Sequence, residues 1–441
     1  MLLIGNGLVL TMDEKLGVLK DGAVLVEGET IVKVDSTERL RHDYPSAQFI
    51  DAEGRLIMPG MINGHMHLYS TFARGLALAD PPANFIEILE KLWWKLDKVL
   101  SLEDVYYSAM MPLIDCIKAG TTTIIDHHAS PYAVSASLEE IVRAVEATGV
   151  RTALAYEVSD RDGKEICDAG IEENIRAIEK YAGGEHPLLG ALFGLHASLT
   201  LSDETLKRCK DAVGKRNVGF HIHTAEGIQD VEDSLERYGK RVVERLADFG
   251  ILGPQTIAVH CVHVNENEID ILRKTDTMVV HNPESNMGNA VGVAPVIKML
   301  DQGVLVGLGT DGFTADMFES VKVANVLHKL EQRDPGAAWD EVPQMIFDNN
   351  REIARRIFGK DLGILREGAA ADIILVDYDP ATPFNQDTAY PHLLFGVSGG
   401  MVDTTIINGK VRMLHRKIEG IDTTAIAVKA RSLAAGLWDR F

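Results

Sequence analysis

Over the first 57 residues the apolar positions fall in short strand-like runs, and nothing there asks for a helix. The first ten residues read as a buried strand, and residues 22–26 and 30–34 as two more, joined across Glu27-Gly28-Glu29, a hairpin signal. From Met58 the pattern changes to apolar, β-branched runs that end in polar residues and alternate with helix-periodic segments. The strand-like runs are 58–67, 120–128, 151–157, 188–198, 218–226, 256–263, 277–286 and 304–312. Helix-like segments between them include 138–148, 171–181, 203–213, 231–249 and 265–274. Eight βα units in a row argue for a closed barrel whose chemistry sits at the C-terminal strand ends. After Phe358 strand signals return without intervening helices, at 372–376 and in a hairpin of 401–407 and 410–413 around Asn408-Gly409, a type I′ turn pair. The expected fold is α/β. A (β/α)8 TIM-like barrel covers residues 58–358, a small β-sandwich domain is built from residues 1–57 and 359–420, and a helical tail covers 421–441. One connection, from His67 to Gly120, is far longer than the rest and is a candidate lid. Its Trp93 and Trp94 either contact substrate or pack a helix onto the barrel.

Composition narrows the function. With 46% hydrophobic and 25% charged residues, the 441-residue chain is that of a well-cored globular protein. Lys and Arg total 44 against 65 Asp and Glu, and the formal charge of −21 opposes binding to nucleic acid or anionic lipid. Cys116, Cys167, Cys209 and Cys261 form no Cys-x-x-Cys pair, which fits neither a zinc knuckle nor a disulfide framework and suits a reduced cytoplasm. The apolar start has no basic region and is followed by Asp13 and Glu14, unlike a signal peptide, and no run approaches membrane-spanning length. A cytoplasmic location and a small-molecule substrate are the expectation.

The chemistry is concentrated in histidines. Of the 15, ten (His65, His67, His127, His128, His196, His221, His223, His260, His263 and His281) fall on the C-terminal halves of proposed strands. Buried histidines need partners, so ten near one barrel mouth point to a metal and a polar substrate. His65 and His67, two apart on a strand, face one side and offer half of a four-ligand set. The fifth strand, Phe220-His-Ile-His-Thr-Ala-Glu226, offers a second such pair; either His221 or His223 serves on alternation alone, with Glu226 as an acid/base. The sixth ends in His260-Cys-Val-His263. The eighth ends in Gly309-Thr-Asp311-Gly, where Asp311 completes a His/His/His/Asp set and can take a proton from bound water.

These residues resemble the amidohydrolase superfamily, in its cytosine/guanine deaminase and triazine hydrolase branch. The likeness spans almost the whole chain, including the closing motif from Gly363 to Asp377. Asp126-His-His-Ala-Ser130, His281-Asn-Pro-Glu-Ser-Asn286 and the stretch from Gly309 to Glu319 look closest to the SsnA-type aminohydrolases. The resemblance implies that His65, His67, His223 and Asp311 are the metal ligands, that Glu226 shuttles protons, that His260 stabilises the attacking hydroxide and that His196 contacts substrate. It leaves His221 as a pocket or core residue, gives His127, His128, His263 and His281 no role, and suggests a homodimer. Binuclear members use a modified Lys or another acid from the third or fourth strand; residues 188–198 contain no Lys, so one ion is expected. Zn²⁺ suits the nitrogen and oxygen donors, and Fe²⁺ would suit the same set.

The implied reaction is hydrolytic deamination of an aminated heterocycle, purine-, pyrimidine- or pterin-like. Activated water loses a proton to Asp311 and attacks the amine-bearing carbon, Glu226 protonates the neighbouring ring nitrogen, and ammonia leaves. The same apparatus can displace chloride or open a cyclic amide. After Gly312 the chain runs Phe313-Thr-Ala-Asp-Met317, where many purine and triazine members carry Ser-Asn-Asn-like residues, so no one substrate transfers. A rival of another class is a catalytically silent scaffold of the same shape; such relatives have typically lost ligands, and this chain keeps them.

Overall fold

The computed structural model describes residues 1–441, and its eight barrel strands stand where the apolar runs placed them. They are Met61–Met66, Thr121–Asp126, Arg151–Leu154, an interrupted fourth strand (Leu189–Ala191 and Phe193–Ala197), Phe220–Thr224, Ile257–His260, Met278–His281 and Val306–Leu308. All neighbouring pairs are parallel. Nearly every residue in them is buried, because helices cover the outside and side chains fill the inside. Two bridges complete the ring: Val158 with Leu195 carries the third strand past the interruption at Leu192, and Met66 with Asp311 joins the first strand to the eighth.

The strands are shorter than the apolar runs because their last residues turn out of the ladder to face the mouth. Helix limits also differ. The segment 231–249 is two helices, Ile228–Tyr238 and Val242–Asp248, since Gly239 takes the left-handed conformation (φ 67°) that ends the first. The helix around 171–181 starts earlier, at Lys164.

The second domain is one nine-stranded sheet fed by both chain ends. Leu2–Leu10 pairs with the hairpin Val18–Glu27/Thr30–Ser36 on one side and with Gln48–Asp51 and Leu56–Pro59 on the other; Ile373–Val376, Val402–Ile407, Lys410–Leu414 and Lys417–Ile418 continue from there. The sheet folds over on itself around a core of 15 buried residues that includes Val26, Ile31, Ile373 and Ile406. Where the two hairpin tips meet, a Cβ on Gly409 (φ 71°) would lie 1.8 Å from the Gly28 carbonyl oxygen, so the meeting requires glycine. Asn408 (φ 53°) and Gly409 both have positive φ, as a type I′ turn demands. Two helices that the apolar pattern did not suggest interrupt this domain. Thr37–Asp43 is capped by Ser36 and buries Leu40, and Ala389–Gly396 buries Leu393 and Leu394.

The domains share a strand in effect. Leu56–Pro59 of the sheet runs into Met61–Met66 of the barrel through Gly60 alone, where a Cβ would meet Thr122 at 2.2 Å. A buried pair fastens them again: Arg151, fully buried at the start of the third barrel strand, binds the Asp372 carboxylate at 3.2 Å and Asn408 Oδ1 at 3.3 Å. The long connection after His67 forms a 3-10 turn, short helices at Phe85–Ile88, Leu89–Trp93 and Trp94–Val99, and the helix Leu102–Ala119 that returns to the second strand. The tail forms the helix Thr423–Trp438, packed on Leu102–Ala119.

Candidate active site

At the barrel mouth the ring nitrogens converge. His65 and His67 leave the first strand, His223 ends the fifth, and Asp311 follows the eighth. His67 Nε2 lies 3.1 Å from His223 Nε2 and 3.0 Å from Asp311 Oδ1, and His65 Nε2 lies 3.6 Å from Asp311 Oδ1. Their other nitrogens are engaged: His67 Nδ1 donates to the His127 carbonyl (2.5 Å), His223 Nδ1 to the His196 carbonyl (2.9 Å), and His65 Nδ1 meets His221 Nε2 (2.9 Å). A neutral imidazole that donates from Nδ1 presents a lone pair at Nε2. Lone pairs of His67 and His223 therefore face each other at 3.1 Å beside a carboxylate, and buried His65 Nε2 has no hydrogen-bond partner. Such an arrangement is repulsive unless a proton or a cation stands in it, and the converging nitrogen and oxygen donors fit a divalent metal. His221 acts behind His65, orienting it.

Electrostatics show the same demand for positive charge at this point, met by a proton on His67 where no cation is bound. Burial works against a charged His67, but Asp311 outweighs it and raises the pKa to about 9; burial lowers His65 to about 3. Although burial opposes its charge, Asp311 is held well below the carboxylate range by His67 and His65. The strand ends are held in uncommon conformations, with positive φ at Ala225 (47°), His260 (70°), Cys261 (51°) and Asp311 (54°). Left-handed non-glycine residues cost energy and cluster where a site imposes them.

Around this centre Glu226 lies beside His260, which the sequence also singled out, and Asn289, which it did not. Its Oε2 is 3.4 Å from His260 Nε2, and its Oε1 accepts from Asn289 Nδ2 at 3.2 Å. His260 is oriented through Nδ1 by Asn286 Oδ1 at 2.8 Å, and its buried Nε2 makes no hydrogen bond. Ser285 donates to Asp311 Oδ2, so the turn after the seventh strand supports both acids. Burial raises the Glu226 pKa. His196, Trp93 and Trp94 all line the cleft above, together with Tyr69, Phe85 and Leu89; its empty space, the open mouth included, is about 690 Å³.

Residues 56–412 match the amidohydrolase family, most of the chain. The chain belongs to that family. Residues 22–47 also match an imidazolonepropionase-like composite domain of bacteria. Among its relatives this amidohydrolase is 34% identical to a 5'-deoxyadenosine deaminase of Methanosarcina acetivorans over 441 residues, 99% of this chain and 98% of that one. It is 33% identical to a 5-methylthioadenosine/S-adenosylhomocysteine deaminase of Pelotomaculum thermopropionicum over 443 residues, 100% and 99% of the two chains. Its fold superposes with a TM-score of 0.87 on an adenosine deaminase of Xanthomonas campestris with bound zinc, at 25% identity, covering 99% and 98% of the chains.

The amidohydrolase's other histidines divide by position. His128 bonds Ser130 Oγ (2.9 Å), His281 meets His328 (3.1 Å), and His263 is half-buried beyond the sixth strand. His127 is fully buried, stacks on His221 with centroids 4.5 Å apart, and has neither nitrogen bonded. Sequence reading missed Glu157. It follows the third strand, lines the cleft, and lies 3.5 Å from His196 Nε2 and 3.8 Å from Arg161; burial, opposed by Arg161, puts its pKa at about 7. The signal for it was available, since residues 151–157 end in that acid just as the fifth run ends in Glu226.

Proposed function

We propose that this amidohydrolase holds one divalent cation, zinc, on His65, His67, His223 and Asp311, and hydrolyses the amine from an adenine-type ring, releasing ammonia. The observation that carries the reading is the convergence of four nitrogen and oxygen donors on one point that calls for positive charge, with Glu226 and His260 beside it. The relatives, named as deaminases of adenosine analogues, support the ring; the zinc of the Xanthomonas enzyme supports the metal over iron. Four free cysteines, all buried, suit a reducing cytoplasm.

When bound, the cation supplies Lewis acidity that brings the pKa of water toward neutrality. Asp311, kept ionised by its histidines, accepts the proton given up as the nucleophile forms. His260, donating from Nδ1 to Asn286, has Nε2 free to hold the attacking oxygen in line. Glu226, whose pKa burial raises, gives its proton to the ring nitrogen beside the carbon under attack; the proton held by Asp311 then passes to the departing amine, and the proton left on the added oxygen returns to Glu226. Water and the amino-substituted ring thus become the oxo-substituted ring and ammonia.

The experiment pairs metal analysis with an ammonia-release screen. Purified wild type is expected to carry one zinc per chain, and His65→Ala/His67→Ala none. Metal-loaded enzyme is offered adenosine, 5'-deoxyadenosine, guanine, cytosine and a pterin, with adenosine-type compounds expected to react. A wild type that binds no transition metal overturns the reading.

A further inference from the structure

The cleft above the donor set is lined by four carboxylates, Glu157, Glu226, Asp230 and Asp311, and by no lysine or arginine. Three of the four have work within the protein. Asp311 faces His65 and His67, Glu226 accepts from Asn289, and Asp230 accepts the backbone N–H groups of Leu199 and Ala225 at 2.9 Å each. Glu157 makes no side-chain hydrogen bond. It is 6% exposed, and its nearest polar neighbours stop short, with His196 Nε2 at 3.5 Å, Arg161 Nη2 at 3.8 Å and His127 Nδ1 at 3.8 Å. A buried carboxyl group whose charged neighbours stop short of hydrogen-bond distance keeps unused acceptor capacity, and one that faces a cleft can be satisfied by what enters it.

Arg161 is the cation nearest to this acid, and the fold keeps it out of the cleft. Its guanidinium donates to Asp97 at 2.7 Å and lies 5.0 Å from the Trp94 ring centroid, so the segment bearing Trp94 and Asp97 holds it behind the lining. An anionic ligand would meet carboxylates and a molecule of net charge −21, with no side chain placed to neutralise it.

We infer that Glu157 is a specificity-determining residue that accepts hydrogen bonds from an N–H or O–H donor of the substrate, and that the cleft admits uncharged or cationic aminated heterocycles while rejecting those with phosphate or carboxylate tails. The inference rests on the deamination reading and deepens it: bases and nucleosides are the substrate class, and nucleotides are not. As a carboxylate Glu157 accepts from an N–H or O–H of a neutral or cationic ligand and repels an anion.

The test compares zinc-loaded wild type and Glu157→Gln on nucleoside and 5'-monophosphate pairs of adenine and guanine, by ammonia release, with zinc content and melting temperature measured in parallel. In wild type, kcat/KM for the nucleoside is expected to exceed that for its monophosphate by at least about a hundredfold, as befits an unpaired charge forced against acids. Glu157→Gln is expected to keep its zinc and melting temperature and to raise KM for the nucleoside about tenfold or more, the scale of a lost charge-assisted hydrogen bond, with kcat within about threefold. The phosphate discrimination is expected to narrow. A monophosphate used as well as its nucleoside, or a Glu157→Gln enzyme with unchanged KM, overturns this inference while deamination stands. Loss of zinc in Glu157→Gln also overturns it, because the residue would then belong to the metal. Release of ammonia from no compound overturns the deamination reading itself.

Discussion

Replacing Glu226 with Gln separates proton transfer from everything else the residue does. Glutamine has the same length, and its carbonyl oxygen can keep the 3.2 Å contact from Asn289, which also donates to Ser285 beside Asp311. The donor set is untouched, so zinc content should stay at the wild-type level. Stability should hold or rise, because the change removes a buried charge that burial and Asp311 both disfavour. What disappears is the group that gives the ring nitrogen its proton. Positioned acid/base groups contribute about 10²–10⁴ in rate, or roughly 3–5 kcal/mol of barrier. The expected kcat therefore falls by that factor, while substrate affinity, measured calorimetrically without turnover, changes by less than about fivefold. Ammonia release coupled to glutamate dehydrogenase gives the rate, and elemental analysis gives the metal. A variant that keeps its zinc and turns over within about tenfold of wild type would falsify the assignment.

Three further outcomes follow from the packing. Arg151→Met leaves Asp372 buried with little but the Asn408 N–H at 2.6 Å, and should cost about 3–5 kcal/mol in urea unfolding; adding Asp372→Asn should recover much of it, and a single variant as stable as wild type refutes the account. Burial raises Glu284 from 4.5 to about 7, so the folded chain keeps a proton that the unfolded chain has lost between those values, and stability falls as pH rises through that window. Glu284→Gln should therefore match wild type near pH 4 and exceed it above pH 7 by on the order of 3 kcal/mol; melting curves with the same offset at both pH values would contradict it. Gly409→Ala drives a methyl group into the Gly28 carbonyl and should lower the melting temperature by several degrees, whereas Gly400→Ala, with only the Ser398 hydroxyl at 3.8 Å, should be nearly neutral.

The barrel was legible because a parallel strand buried on both faces must be apolar until it reaches the mouth, where the histidines begin; that switch marks strand and site together. The two missed helices, Thr37–Asp43 and Ala389–Gly396, are short and bury only two or three side chains each, so periodicity cannot reveal them. The break at Gly239 was written in the chain and overlooked, since one glycine in a long periodic stretch is often tolerated. Roles at the site are harder. Alternation places both His221 and His223 on one face, and only the spatial contacts show that His221 meets His65 Nδ1 while His223 faces His67. Glu157 was hidden among 65 acids because its importance lies in the bonds it lacks, and unmet hydrogen-bonding capacity is a property of three-dimensional surroundings.

The seam between the first and eighth barrel strands is made by the donor residues' own backbone: His65 carbonyl oxygen accepts from Thr310 and Asp311 N–H at 3.0 Å, and His67 N–H donates to the Asp311 carbonyl at 3.3 Å. During synthesis the two histidines leave the ribosome early and their carboxylate partner arrives only after seven more strands. A nascent or partly unfolded chain thus holds scattered weak ligands in place of a trap, and tight metal capture is withheld until the ring has shut. With the cation held on these residues as proposed, its retention would record that the last strand found the first.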